Sequence, residues 1–99
     1  MINIRIKPDG DFLPDTIFKD PADVLDVIVD YSQFFKTDDI TTIAVVGTNI
    51  TIDSSAESAN IVTLFMSAGQ DGVDATIKIT VSSPTRTLER TIFVKVEDK

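Results

Sequence analysis

Residues Lys19–Phe35 read KDPADVLDVIVDYSQFF, and two structural periods compete for them. Asp20 followed by Pro21 has the form of a helix N-cap with proline at the first helical position. Asp23 would fall in the first turn, near the positive end of the helix dipole. A helix would gather Val24, Val27, Ile28 and Tyr31 on one face. Against it, Leu25, Val27, Val29 and Tyr31 alternate with Asp26, Ile28, Asp30 and Ser32, which is strand period. Four of the seven residues Val24–Asp30 are β-branched, stiff at χ1 and suited to a pleated surface. The reading is a turn over Asp20–Asp23 and a strand over Val24–Ser32. Leu25, Val27, Val29 and Tyr31 then face the core, and Asp26 and Asp30 face outward.

Strand signals dominate the rest of the chain. DITTIAVV is rich in β-branched residues, and NITID follows it after only Gly47-Thr48, which predicts a tight hairpin. SSAESA reads as a polar surface loop. NIVTLFMS is an apolar run that ends at AGQDG, a turn signal. Ala75, Ile77, Ile79 and Val81 alternate with polar residues, and after the SSPTR turn Ile92, Val94 and Val96 alternate with Thr91, Phe93 and Lys95. About six strands at this turn spacing predict an all-β, antiparallel sandwich of 6–7 strands. The expected core adds Ile40, Ile50 or Ile52, Val62, Leu64 and Met66 to the residues above. For Thr42–Val46 the inward parity stays open between Ile43/Val45 and Thr42/Ala44/Val46.

Ahead of the sandwich, residues 1–20 read as an arm or leading strand, with residues 21–99 as the sandwich domain. Ile2, Ile4 and Ile6 alternate with Asn3 and Arg5, and KPDGDFLPD reads as turn and loop. With Phe12 and Phe18 the arm holds apolar surface that must be covered. It either folds back on its own sandwich or docks on a neighbouring subunit, which makes Ile2, Ile4, Ile6, Phe12 and Phe18 the candidate interface.

Composition excludes several functions. The 99 residues carry a net charge of −7, which argues against nucleic acid and against anionic membranes as partners. Residues 1–39 hold nine acids and four bases, and residues 40–99 hold seven acids and five bases, so the leading part is the more acidic. There is no cysteine, hence no disulfide and no zinc–thiolate site, and no histidine, the usual general base. The start has no apolar stretch of signal-peptide length, and no run approaches the roughly 20 apolar residues of a membrane span. Synthesis in the cytoplasm is the expectation. Asp9/Asp11, Asp38/Asp39 and Asp71/Asp74 are acidic pairs of the residue type that ligates Ca²⁺, but each supplies two carboxylates where that ion wants 6–8 oxygens. Turn chemistry accounts for all of them. No GxSxG and no glycine-rich phosphate loop is present, so no catalytic residue, cofactor site or metal site is expected.

One further pattern points to a family. Lys19-Asp20-Pro21, Val24-Leu25-Asp26 and Asp30-Tyr31-Ser32 resemble the N-terminal motif of a family of small tailed-phage proteins with an immunoglobulin-like sandwich. The stretch LFMSAGQDGVDATIKITVSSPTRTLERTIFVKV is similar to the family's later part through Ser67, Gly69, Gly72, Val81, Arg86, Arg90 and Val96. The resemblance covers about residues 19–97. Tyr31 and Phe65 stand where the family commonly has Trp, and Val27 where it has Tyr. The family is often labelled a phage fibre–tail adaptor. The resemblance implies a non-enzymatic virion structural protein, either a neck or tail adaptor or a capsid decoration protein. It implies contacts with other virion proteins and homo-oligomers in the assembled particle. The rival readings are a carbohydrate- or receptor-binding sandwich, which needs exposed Trp or Tyr, and a small enzyme or inhibitor, for which no residue set is found.

Overall fold

The structure is a computed structural model that describes residues 2–13, 16–35 and 38–97. Lys19–Phe35 resolves toward the strand. Asp20–Ala22 is a turn, held by the Ala22 N–H on the Asp20 carboxylate at 2.8 Å and the Asp23 N–H on the Asp20 carbonyl at 3.0 Å. A strand follows at Leu25–Asp30. It ends where the Ser32 N–H bonds the Asp30 carboxylate at 2.9 Å. One helical turn follows, in which the N–H groups of Phe34 and Phe35 both donate to the Tyr31 carbonyl.

Nine strands form among the described residues, with no helix: β1 Ile2–Ile6, β2 Phe12–Leu13, β3 Thr16–Lys19, β4 Leu25–Asp30, β5 Thr42–Thr48, β6 Thr51–Ser58, β7 Ile61–Ser67, β8 Asp74–Ser82 and β9 Thr87–Val96. They make two sheets, β2-β1-β4-β7-β6 and β3-β9-β8-β5. The chain is an all-β sandwich, with more strands than the expected six or seven. Nor is it wholly antiparallel, since β1 runs parallel to β4 and β3 parallel to β9. Both parallel pairs come from the leading twenty residues. That segment enters one sheet as β1, turns back through Lys7–Asp11 into β2 of the same sheet, and supplies β3 to the other. The loss of strand period after Ile6 marks the turn between β1 and β2.

The inward alternation holds along β4, β7, β8 and β9. Val27, Val29, Tyr31, Val62, Leu64, Met66, Ala75, Ile77, Ile79, Val81, Ile92, Val94 and Val96 are all buried, and Leu25 packs half-buried against them. Ile40 and Ile50 are buried, while Ile52 is partly covered. Ile43 and Val45 are the inward residues of β5. Ile4, Ile6, Ile17, Phe35 and Leu88 complete the core, outside the expected set.

Two expectations are corrected in the middle of the chain. β5 and β6 do not pair as a hairpin: β5 pairs with β8 and β6 with β7, so the link between them crosses from one sheet to the other. Gly47 permits the tight corner, because a Cβ there would lie 2.8 Å from the Ile50 carbonyl oxygen. Asn49 then takes the left-handed conformation with φ 60°. SSAESA is strand, not loop. As an edge strand, β6 needs only main-chain bonds to β7, and its side chains from Asp53 to Ala56 remain exposed. A bulge between Ile52 and Ser54 shifts its register.

Candidate functional site

At one end of the sandwich the start of the β4 turn meets the β7–β8 turn. Lys19 is 1% exposed, and its ammonium donates to the carbonyls of Ala68 at 2.6 Å, Asp20 at 2.8 Å and Pro21 at 3.5 Å. A buried charge is tolerated because carbonyl dipoles replace water around it. The backbone closes the same knot: the Glu97 N–H donates to the Lys19 carbonyl and the Gly72 N–H to the Val96 carbonyl, both at 2.9 Å. Gly69 has φ +95°, and a Cβ there would come within 3.0 Å of the Val96 side chain.

At the opposite end Asn60 organises the β4–β5 connection. It sits in the left-handed region with φ 65° and is buried. Its carbonyl oxygen accepts from the Tyr31 N–H, and its side-chain oxygen accepts from the Ile40 N–H at 2.9 Å. Its amide donates to the carbonyls of Phe35 at 3.2 Å and Asp38 at 3.1 Å. Burial pushes the phenol of Tyr31 far above its ordinary value, with the charge of Arg90 opposing. Tyr31, Phe35 and Phe34 stack in sequence, with ring centroids 6.1 and 4.9 Å apart. Arg86 lies over the Phe34 ring at 4.8 Å and donates to its carbonyl at 3.0 Å. The Asp38 carboxylate accepts from the hydroxyls of Ser83 and Thr85. Phe34, Phe35, Asp38, Thr85 and Arg86 line a cavity of about 440 Å³ together with Pro8 and Gln33. Within it Arg86 covers the Phe34 ring, and the Asp38 carboxylate is taken up by the Ser83 and Thr85 hydroxyls.

Three further aspartates serve the backbone. Asp9 accepts from the Asp11 N–H, Asp11 from the Phe12 N–H, and Asp30 from the Ser32 N–H. The Ser32 hydroxyl bond is the first cause holding the Asp30 carboxyl below its usual range, with the Ser32 N–H and the Arg5 charge adding to it against a smaller effect of burial. Among the described residues, no group of three or more acids, cysteines or histidines could hold a metal ion.

Of the residues proposed as an interface, Ile4 and Ile6 are buried in the chain's own core. Ile2 and Phe12 are half-covered against that core. The leading segment folds back on its own sandwich, because β1 finds β4 as a partner and β3 finds β9. Arg90 ties it down as well, donating from Nε to the Gly10 carbonyl at 2.8 Å. Phe18 is different: it is 60% exposed on the outer face of the β3-β9-β8-β5 sheet. Phe93 joins it there at 51%. The β3–β9 register pairs Phe18 with Lys95 and Thr16 with Phe93, so the two rings hold diagonal positions on one face. Val46 is 57% exposed on the same face, where Lys78–Glu89 and Lys95–Asp74 form surface ion pairs. The strand alternation already set Phe93 opposite the core residues, and that signal marks it as exposed. Lys19 and Asn60 have no comparable local signal.

A family model described as podophage GP4 fiber-tail adaptor protein gp77 matches residues 19–95. The chain belongs to this adaptor family. The match begins at the buried Lys19, so β1, β2 and most of β3 precede it. In this phage structural protein the residues that carried the resemblance hold the fold. Lys19 meets the Ser67–Gly72 turn, Arg86 covers Phe34, and Arg90 anchors the leading segment. No curated protein matches the chain. Among solved structures, the cysteine protease inhibitor EhICP2 from Entamoeba histolytica is similar at 13% identity and a TM-score of 0.49, covering 100% of this chain and 97% of that one. The solution structure of Amebosin is similar at 14% identity and a TM-score of 0.40, covering 100% and 99%.

Proposed function

We propose that this adaptor-family protein is not an enzyme and works by protein–protein contact in the neck or tail of the virion. It is made in the host cytoplasm and is present in the particle as one ring of copies. The family match over residues 19–95 is the observation that carries this reading. The partner is another virion protein, and it docks on the outer face of the β3-β9-β8-β5 sheet around Phe18 and Phe93. Exposed aromatic side chains on a flat strand face are the groups that anchor protein interfaces. The same reading takes the sandwich as immunoglobulin-like. The orders β1-β4-β7-β6 and β9-β8-β5 follow the A-B-E-D and G-F-C arrangement of constant-type domains, with β1 reversed in direction.

The burial of Tyr31, in a chain without Trp, speaks against carbohydrate or receptor binding, which needs an exposed ring of that kind. Counting copies in purified particles separates the remaining roles. About a dozen copies fits a symmetric ring in the neck or tail. Hundreds would make it a decoration protein, and none would remove both roles. Phe18→Ser with Phe93→Ser should leave the isolated protein folded and abolish its incorporation; normal incorporation would take the contact away from this face.

A further inference from the structure

The outer face of the β2-β1-β4-β7-β6 sheet carries a constellation of its own. Phe65 is 42% exposed there, on the solvent parity of β7. The β4–β7 register sets Asp26 directly opposite it, and on its other side β6 offers only Ser54, too small to cover a ring. Residues directly opposite in a sheet have Cβ atoms about 5 Å apart, so one flat cationic group can meet the carboxylate and the ring together. That combination suits a guanidinium, which stacks on an aromatic face while its N–H fork donates to a carboxylate; an ammonium can serve the carboxylate but cannot stack. The chain uses a similar arrangement within itself, where Arg86 lies over the Phe34 ring at 4.8 Å and donates to an oxygen beside it. Farther along the same face Ile28 and Ile61 line a hollow of about 470 Å³, with Asn3, Arg5 and Asp30 around it. Asp30 marks its far side, four residues or about 13 Å along β4 from Asp26.

We propose that Asp26 and Phe65 hold an arginine of a different virion protein, and that an aliphatic side chain beside that arginine enters the hollow over Ile28 and Ile61. The site rests on the adaptor reading, which requires two neighbours. Phe18 and Phe93 lie on the outer face of one sheet and this site on the outer face of the other, so the two neighbours sit on opposite sides of the sandwich. Charge selects the class of partner. A chain of net charge −7 attracts a cationic surface, and the outward positions of β1, β4 and β7 carry two carboxylates, Asp26 and Asp30, against the one guanidinium of Arg5. The opposite face makes no such demand, because its Lys78 and Lys95 are balanced there by Glu89 and Asp74. A second copy of this chain would bring the same negative charge and is the wrong occupant.

Photo-crosslinking in purified particles tests the site. With p-benzoylphenylalanine in place of Phe65, the full chain should crosslink to one other virion protein, and mass spectrometry of the joined peptide should find an arginine in it. The same probe in place of Phe18 reports the opposite face and should capture a different protein. Asp26→Asn keeps the shape and removes the charge, and should lower the crosslink yield from position 65 about tenfold while leaving that from position 18 unchanged. Asp26→Lys should abolish it. Thr63, next outward on β7, takes the probe should the position 65 variant fail to fold. A crosslink from position 18 with none from positions 65 and 63 overturns the proposal and leaves the adaptor reading standing, whereas a chain absent from the particle overturns both. A crosslink to a second copy, to a peptide without arginine, or one indifferent to Asp26→Asn and Asp26→Lys also overturns it.

Discussion

Replacing Asn60 by Ala should cost about 3–5 kcal/mol, a large share of the 5–15 kcal/mol available to a domain of this kind. The figure is built from the contacts. The buried Ile40 N–H loses its acceptor, and a buried unpaired donor costs about 1–3 kcal/mol. The carbonyls of Phe35 and Asp38 lose the amide that binds them both, which adds about 1 kcal/mol. The backbone adds a third contribution: at φ 65° an alanine Cβ crowds its carbonyl by about 1 kcal/mol, a strain that asparagine relieves locally and glycine avoids. Asn60→Gly should therefore be less damaging than Asn60→Ala although it loses the same hydrogen bonds.

Urea unfolding followed by circular dichroism measures both. With a slope of about 1–3 kcal/mol per molar, the Ala variant should move the midpoint down by about 2 M. Asn60→Asp is the internal control. Its carboxylate keeps an acceptor for the Ile40 N–H but turns a second oxygen on the carbonyls of Phe35 and Asp38. That raises its folded pKa, so its stability deficit should shrink as pH falls and grow as pH rises through that value. An Ala variant that loses less than about 1 kcal/mol, or Ala and Gly variants of equal stability, would refute the reasoning.

Three further outcomes follow from the same contacts. Lys19→Met leaves the carbonyls of Asp20 and Ala68 without their donor and should cost about 1–3 kcal/mol, lowering the melting temperature by about 5 °C or more; an unchanged melt would mean the buried ammonium is dispensable. Deleting residues 1–18 removes Ile4, Ile6 and Ile17 from the core at about 1.5–3 kcal/mol each, so the truncated chain should lose its cooperative transition, and a sharp melt of the truncated protein would contradict the two parallel strand pairs. Asp30 is held below its ordinary value of 3.8, so its ionised form favours the fold above that pH and the contribution is lost as pH falls through the folded value; the stability gap between wild type and Asp30→Asn should narrow on acidification, and a gap independent of pH would exclude it.

What could be read from the sequence follows a physical division. In β4, β7, β8 and β9 one face is buried along the strand, so apolar and polar residues must alternate and the parity is visible. β6 lies at an edge, where pairing with β7 needs main-chain groups alone, and Ser54, Ser55 and Ala56 carry no imprint of it. The link through Gly47 has the form of a hairpin because a tight corner within a sheet and one between sheets make the same local demand. Which sheet each strand joins is settled by its partner: β6 turns straight back onto β7, whereas β5 finds β8 far along the chain. The leading segment misled in a similar way. Its alternation declares a strand, and whether that strand is covered by its own core or by a neighbour depends on the room left beside β4 and β9.

The polar residues divide along the same line. Asp9 and Asp11 stand out in the sequence because they are close together, yet like Asp20 and Asp30 each finds an N–H one or two residues on, whereas Asp38 reaches Ser83 and Thr85 across the fold. Through their side chains Lys19 and Asn60 hold opposite ends of the sandwich together with partners up to 49 and 25 positions away, and nothing next to them announces it. Lys19 is visible only through the family motif, and Asn60 through no signal in the sequence at all. A surface that works by contact leaves the reverse trace, a side chain the core does not need. Phe18 and Phe93 are such residues, since each lies on the solvent parity of a strand whose other face is buried. In this adaptor-family protein the departures from alternation at Phe18 and Phe93, rather than the local aspartate turns, are therefore where a partner surface should be sought.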